Sequence, residues 1–141
     1  MSIKPLFTAT ASCTGGRNGH SEASDHSVSV NLSVPKEMGG PGKPGTTTPE
    51  HLFAAGYAAC FQSALAVVGR RQHVDTSDST VEADVTIGTV PGGGYGLAVA
   101  LRISIPGTDA ETTRTLAEAA HQVCPYSNAT RGNIDVTVSA A

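Results

Sequence analysis

Apolar residues alternate with polar ones in several stretches of the chain, which is the pattern of β-strands with one buried face. The alternation predicts strands at residues 28–34, 81–87, 97–105 and 134–138, with a weaker one at 6–12. Pro35 ends the run at 28–34, and the PGGGYG segment before residue 97 predicts a hairpin turn. Because each strand is apolar on one side only, we expect antiparallel sheets that lie on a helical layer.

A long apolar segment is predicted to form the central helix of the fold. Thr48 is placed to cap the amino end, and Pro49 suits the first helical position. The helix should run to about Arg71. The apolar run from Leu52 to Gly69 approaches membrane-spanning length. It is mostly Ala, however, and contains two polar residues, so we favour a helix buried at the centre of the fold over a membrane span.

A second helix is predicted to begin near Asp109, with Leu116 and Ala120 on its apolar side. Pro125 ends it, because the residue before a proline is driven out of helical geometry. Cys124 should therefore lie at a helix carboxyl end, where the negative end of the helix dipole disfavours a thiolate.

Length and charge narrow the class of protein. The 141 residues suffice for one domain, so we expect a single α+β domain over residues 1–141. The 9 basic and 12 acidic residues give a net charge of -3 without a basic stripe, so nucleic acid is not an expected partner.

Aromatic residues make up only 4%, which predicts a core of small side chains that a partner subunit completes. The amino end lacks the apolar run of a secretory signal, so we expect a cytoplasmic protein.

The chain has three cysteines, Cys13, Cys60 and Cys124, which are too few and too widely spaced for a disulfide scaffold. Neither they nor the histidines show metal-ligand spacing, so no metal site is expected. Cys13 is expected to be an inert strand residue that faces the core.

Cys60 lies in the middle of the predicted central helix and has two interpretations. A small, buried and inert core thiol is the commoner case. A reactive thiolate would need a pKa about three units below that of a free thiol, which corresponds to about 4 kcal/mol of preferential stabilisation. A cation in a partly desolvated pocket can supply that much. Arg17 is the candidate, because the glycines on both sides of it allow close backbone approach.

Three segments together are more specific than any short motif. They are FTATASCTGGRNG near the amino end, LSVPKEMGGPGKPGTTTPEHLFAAGYAACF in the middle and VCPYSNATRGNIDV near the carboxyl end. These segments resemble the organic hydroperoxide resistance proteins, within the wider osmotically inducible protein C (OsmC) family. The resemblance implies the OsmC/Ohr-like fold, an α+β fold with antiparallel sheets packed around central helices in an intertwined homodimer.

The resemblance also implies an activity. Members of the organic hydroperoxide resistance proteins are thiol peroxidases that reduce organic and fatty-acid hydroperoxides to alcohols in oxidative stress defence. They hold no bound cofactor and are re-reduced by lipoyl groups on a lipoylated protein, with lipoamide dehydrogenase behind them.

Four residues receive roles from the same resemblance. Cys60 matches the peroxidatic cysteine, Cys124 the resolving cysteine, Arg17 the activating arginine and Glu50 the carboxylate that holds this arginine. In the implied cycle, Cys60 is oxidised to a sulfenic acid and Cys124 condenses with it to form a disulfide.

Glu50 poses a geometric question. It precedes Cys60 by ten residues on the predicted helix, so the two lie about 15 Å apart along the axis. Glu50 therefore cannot reach the Cys60 of its own helix. We expect it to serve the cysteine of a second subunit, with two central helices packed antiparallel through Ala55, Gly56 and Ala59.

Four aromatic residues are expected to line an apolar pocket that favours bulky peroxides, unless they simply belong to the core: Phe53, Tyr57, Phe61 and Tyr126. Two alternative functions stay open. One is an OsmC-type peroxidase with a broader substrate range. The other is a non-catalytic redox sensor or small-molecule-binding dimer, which would be oxidised once without turnover.

Overall fold

The computed structural model describes residues 2–141, which form two compact units. The first unit ends at Pro49 and the second spans Glu50–Ala141. The prediction of a single domain over the whole chain stays a prediction.

The first unit contains a small antiparallel sheet in the order β1-β2-β3. Its strands are β1 Ala11–Thr14, β2 His20–Ala23 and β3 Ser29–Asn31. The strand predicted at 6–12 thus begins only at Ala11, and the one predicted at 28–34 is shorter. The alternation does not predict the β2 strand, because its sequence HSEA lacks an alternating apolar side.

Few apolar side chains are buried in the first unit. Leu32 is 6% exposed and forms an isolated bridge with Thr47. By contrast, Ile3, Leu6 and Phe7 are 78%, 96% and 86% exposed. The amino-terminal segment therefore offers apolar surface that the first unit does not cover.

The second unit contains three helices and a second three-stranded sheet. The helices are α1 Pro49–Arg71, α2 Ala110–Val123 and α3 Pro125–Thr130. The strands are β4 Thr80–Thr89, β5 Tyr95–Ser104 and β6 Asp135–Ala140. The predicted bounds of the first two helices and the predicted hairpin are confirmed. Asp109 caps α2 by accepting a hydrogen bond from the backbone N–H of Thr112.

The prediction of purely antiparallel sheets is wrong for one pair of strands. β4 and β5 are antiparallel, but β6 runs parallel to β5, with Val136 opposite Val99. Parallel neighbours require a crossover connection, and α2 with α3 provides it between β5 and β6.

The core of the second unit lies between its sheet and its helices. One side of α1 contributes Tyr57, Phe61, Leu65 and Val68, and these pack with Leu101, Ile103 and Leu116. By length and composition alone, α1 could also cross a membrane, with a mean hydropathy of 1.6 in its most apolar window. A third of that window is buried inside the protein, and the core helix of a water-surrounded fold meets the same two criteria.

Candidate functional site

Two cysteines that are 64 positions apart in sequence meet in the second unit. The Sγ of Cys124 donates a hydrogen bond to the Sγ of Cys60 over 3.6 Å. Cys124 is fully buried, whereas Cys60 is only partly buried. The arrangement gives one thiol access to a reactant and keeps the other thiol behind it.

Cys60 is held by the packing of α1. Tyr57, Phe61 and Ala64 lie three, one and four positions away and are buried in the core. A helix places residues three and four apart on one face, so this anchoring fixes the rotation of α1 about its axis. Cys60 consequently lies at the edge of the buried face, partly open to solvent.

Cys124 is held between two helices. Its backbone N–H donates to the carbonyl of Ala120 at the end of α2, and it directly precedes Pro125, the first residue of α3. The predicted position at a helix carboxyl end is confirmed, but Cys124 is also the N-cap residue of α3. The argument from the dipole of α2 alone therefore does not hold, because the positive end of a second helix lies at the same residue.

The surroundings of Cys60 within the second unit act mostly against ionisation. Burial raises the pKa of the Cys60 thiol above its ordinary value, and repulsion from the Cys124 sulfur when that is ionised raises it further. A hydrogen bond from the backbone N–H of Tyr126 lowers the pKa in part. Burial is the largest of these influences, so the second unit by itself disfavours the Cys60 thiolate.

A buried network of side-chain hydrogen bonds joins the helices that carry the two cysteines. The Tyr57 hydroxyl shares hydrogen bonds with Ser127 Oγ at 2.9 Å and with Thr130 Oγ1 at 3.1 Å. Ser127 Oγ is also 2.8 Å from the Nδ1 atom of His121. The network ties α1 to α2 and α3, and so fixes the segment that carries Cys124.

His121 belongs to this network and is partly withdrawn from water. Burial, and to a lesser degree the nearby charge of Arg131, lowers the pKa of His121 below its ordinary value. Arg131 also donates a hydrogen bond to the carbonyl oxygen of His121. Sequence patterns do not identify the partners of His121, since these residues come together only through tertiary packing.

Glu50 lies away from Cys60 in the same chain. The helix α1 is continuous, so the ten residues between them span about 15 Å. Glu50 lines a separate cleft of about 250 Å³ together with His51, Ala83 and Asp84. That Glu50 serves the cysteine of a second subunit stays a prediction.

Arg17 belongs to the first unit, on a short 3-10 turn at Gly16–Asn18, and is partly buried. The backbone conformation on both sides of Arg17 requires glycine. Gly15 has a φ of 82°, and a Cβ on Gly19 would collide with the carbonyl oxygen of Thr14. Cys13 lies on the adjoining strand and is exposed, which corrects the prediction that it faces a core.

The four predicted lining residues divide into two pairs. Tyr57 and Phe61 are fully buried and belong to the core, whereas Phe53 is partly exposed and Tyr126 is 39% exposed. The rings of Phe53, Tyr57 and Tyr126 contact one another with centroid distances of 5.6 to 5.9 Å. Of these four residues, Phe53 and Tyr126 are therefore the two that are exposed enough to contact a ligand.

Comparison with known proteins finds relatives of one family that match almost the whole chain. A family model described as OsmC-like protein matches residues 40–139. The chain is 50% identical to the organic hydroperoxide resistance protein of Xanthomonas axonopodis pv. citri (strain 306), over 98% of this chain and 96% of the relative. A crystal structure of an organic hydroperoxide resistance protein from Elizabethkingia anophelis, with thiocyanate bound, has a TM-score of 0.91 and 47% identity and covers 99% of both chains. One from Vibrio cholerae O1 biovar eltor, with captopril bound in one of the active sites, has a TM-score of 0.91 and 46% identity over 99% of this chain and 95% of that chain.

Proposed function

The chain belongs to the OsmC-like family, in its organic hydroperoxide resistance branch, and from this membership we propose that it is a Cys-based peroxidase. Branch membership itself gives the protein a role in defence against organic hydroperoxides. The proposed substrates are organic and fatty-acid hydroperoxides, which are reduced to alcohols. The observation that supports the thiol mechanism most is the contact of the partly exposed Cys60 with the buried Cys124 over 3.6 Å.

The first step of the proposed cycle takes place at Cys60. Its thiolate attacks the outer oxygen of the hydroperoxide, the O–O bond breaks, and Cys60 becomes a sulfenic acid. The inner oxygen leaves as an alkoxide and takes a proton, which yields the alcohol. Sulfur loses two electrons in this step and the peroxide gains them.

The second step joins the two cysteines. The Cys124 thiol attacks the sulfenic sulfur of Cys60, an S–S bond forms, and water leaves. The sulfur atoms have to approach from 3.6 Å to about 2.05 Å for this bond to form. A dithiol then opens the disulfide by exchange. We propose that lipoyl groups of a lipoylated protein, with lipoamide dehydrogenase behind them, supply that dithiol in the cytoplasm.

Activation of Cys60 needs a positive charge, because burial within the second unit raises the pKa of this thiol. We assign this charge to Arg17, held by Glu50 as in the family pattern. Since Glu50 lies about 15 Å from Cys60 along its own helix, the Glu50 that serves a given Cys60 comes from a second subunit.

A homodimer also accounts for apolar surface in both units. Leu6 and Phe7 are almost fully exposed in the single chain, and exposed apolar surface of this kind is typical of interfaces. On α1, Ala55 and Ala59 are exposed on the side opposite the core, where small residues permit close helix packing.

The function is tested by coupling turnover of cumene hydroperoxide to NADH consumption through lipoamide and lipoamide dehydrogenase. We expect Cys60→Ser to abolish turnover, Cys124→Ser to allow one reaction and then stop, and the matched control Cys13→Ser to behave as wild type. Sustained turnover in the Cys60→Ser protein would overturn the proposal. A single stoichiometric oxidation of the wild-type protein without turnover would favour a redox sensor instead.

A further inference from the structure

A groove of about 400 Å³ runs along α1 from Cys60 towards the end of the helix at Arg71. Its floor is formed by Cys60, Ala64, Val67 and Arg71, which are spaced by four, three and four residues and so lie on one face of α1. Val123 and Pro125, on either side of Cys124, complete its wall.

The chemistry of the groove differs between its middle and its ends. Ala64, Val67 and Val123 make the middle largely apolar, and the hydroxyl of Ser63, which also lines the groove, donates its hydrogen bond to the carbonyl of Ala59. One end holds the Cys60 thiol and the other the exposed guanidinium of Arg71. Within the part of the chain that the structure describes, no acidic side chain lines the groove. The groove therefore suits a ligand with an anionic end, an apolar chain and a group that reacts with a thiol.

The length of the groove restricts that ligand further. Cys60 and Arg71 are eleven residues apart, which is about 16 Å along the helix axis. Helical side chains lean towards the amino end, and an arginine side chain extends about 6 Å, so the charge can approach to about 10 Å from the thiol. An extended chain advances about 1.1 to 1.2 Å per bond, so roughly 9 to 14 bonds separate the anionic end from the reacting group.

We propose that Arg71 binds the carboxylate of the long-chain acid hydroperoxides that occupy this groove, and so holds their peroxide group at Cys60. The inference rests on the proposed function, because it takes Cys60 to be the reacting thiol. It makes Arg71 a specificity-determining residue, which selects free acids over their esters and peroxides in mid-chain over those near the carboxylate.

The chemical step is unchanged by this anchoring. The Cys60 thiolate takes the outer peroxide oxygen and becomes a sulfenic acid, the O–O bond breaks, and the inner oxygen takes a proton to give a hydroxy acid. The carboxylate stays ionised at Arg71 throughout, and the lipoyl dithiol of the proposed cycle supplies the electrons that regenerate Cys60.

The first test compares linoleic acid hydroperoxide with its methyl ester, using kcat/KM in the lipoamide-coupled assay. We expect Arg71→Gln to lower the acid-to-ester ratio about tenfold, the effect of one charge-assisted carboxylate pair in a partly exposed groove. Arg71→Lys should retain most of the preference. Arg70→Gln is the matched control, because Arg70 is the adjacent exposed arginine and does not line the groove. An unchanged ratio in Arg71→Gln, or an equal loss in both Gln variants, would overturn the inference.

A second test does not depend on peroxidase activity. Unoxidised linoleate should slow the alkylation of Cys60 by iodoacetamide in the wild-type protein and in Arg70→Gln, and about tenfold more linoleate should be needed in Arg71→Gln. Equal protection in all three proteins would overturn the carboxylate site even if cumene hydroperoxide is turned over. Conversely, protection without any turnover would refute the peroxidase and keep the acid-binding site. A changed dimer dissociation constant in Arg71→Gln would assign the groove to the subunit interface and also contradict the inference.

Discussion

The two compact units differ in how they bury their apolar side chains. In the second unit, Leu65, Leu101 and Leu116 are fully buried in one core. In the first unit, Leu6 and Phe7 are 96% and 86% exposed. The second unit therefore has what a stable core requires within its own sequence, whereas the first unit has apolar residues whose burial must come from elsewhere. The cysteine pair thus lies in the part of the chain that has its own core, while the charge proposed to activate it belongs to the part that has not.

The largest effect is expected from one substitution made in each unit. Leu65→Ala should lower the free energy of unfolding by about 2 to 5 kcal/mol at every protein concentration, because it leaves a cavity in the core. Leu6→Ala should instead weaken subunit association, with a loss of stability that disappears on dilution. Urea unfolding at two protein concentrations, together with sedimentation velocity, distinguishes the two. An unchanged association constant in Leu6→Ala would show that this segment is not covered by a second copy.

The next effect concerns the charge that the first unit is proposed to supply. Arg17→Ala should lower the rate of Cys60 oxidation at pH 7 about 100-fold, equivalent to about two pKa units of lost thiolate stabilisation. Burial already raises the pKa of Cys60. Loss of a cation that stabilises the thiolate raises this pKa further. The rate should recover as the pH is increased, and Arg17→Lys should lose less. A pH profile that is identical in the wild type and Arg17→Ala would contradict the assignment.

A smaller effect is expected in the hydroxyl network of the second unit. Ser127→Ala removes the shared partner of Tyr57 and His121 and should cost about 1 to 3 kcal/mol of unfolding free energy. Because Ser127 follows Cys124 closely, disulfide formation should also slow. Thr115→Ala is the control, since its hydroxyl makes one exposed hydrogen bond to the carbonyl of Glu111. Equal stability of the two variants would show that the network contributes nothing to the site.

The smallest effect concerns the pH dependence of stability. The pKa of His121 is lowered in the folded protein, mainly by burial, so its contribution to stability is present above the unfolded pKa of about 6.5 and is lost as the pH falls below that. His121→Gln should therefore flatten the decline of Tm between pH 7 and pH 5. The control His73→Asn replaces an exposed histidine with a positive φ, which Asn tolerates. The same slope in wild type and His121→Gln would refute the role of His121.

Local patterns account for the parts of the fold that the sequence predicted correctly. The alternation in β4, β5 and β6 and the start and stop signals of α1 and α2 depend on neighbours in the sequence. The parallel pairing of β6 with β5 depends on the crossover through α2 and α3, which periodicity does not encode. The strand β2 has no apolar side of its own and pairs through its backbone.

In the candidate site, too, local sequence patterns predict some features, and others depend on tertiary packing. Cys60 and Cys124 were predicted from their segments, and the distance between Glu50 and Cys60 followed from the helix rise. Sequence patterns miss the short helix α3, which begins directly after Cys124. The proline that ends α2 also suits the first position of α3. The contacts of Ser127 with Tyr57 and His121 join distant parts of the chain, and only tertiary packing brings them together.

The central claim is that Cys60 and Cys124 form a catalytic disulfide, and one measurement tests it directly. Reduced protein is treated with one equivalent of cumene hydroperoxide, alkylated, digested and analysed by mass spectrometry. We expect a protein two hydrogens lighter, a cross-linked peptide that joins Cys60 to Cys124, and an alkylated Cys13. A disulfide that includes Cys13, or an oxidised Cys60 with a free Cys124 thiol, would contradict the account.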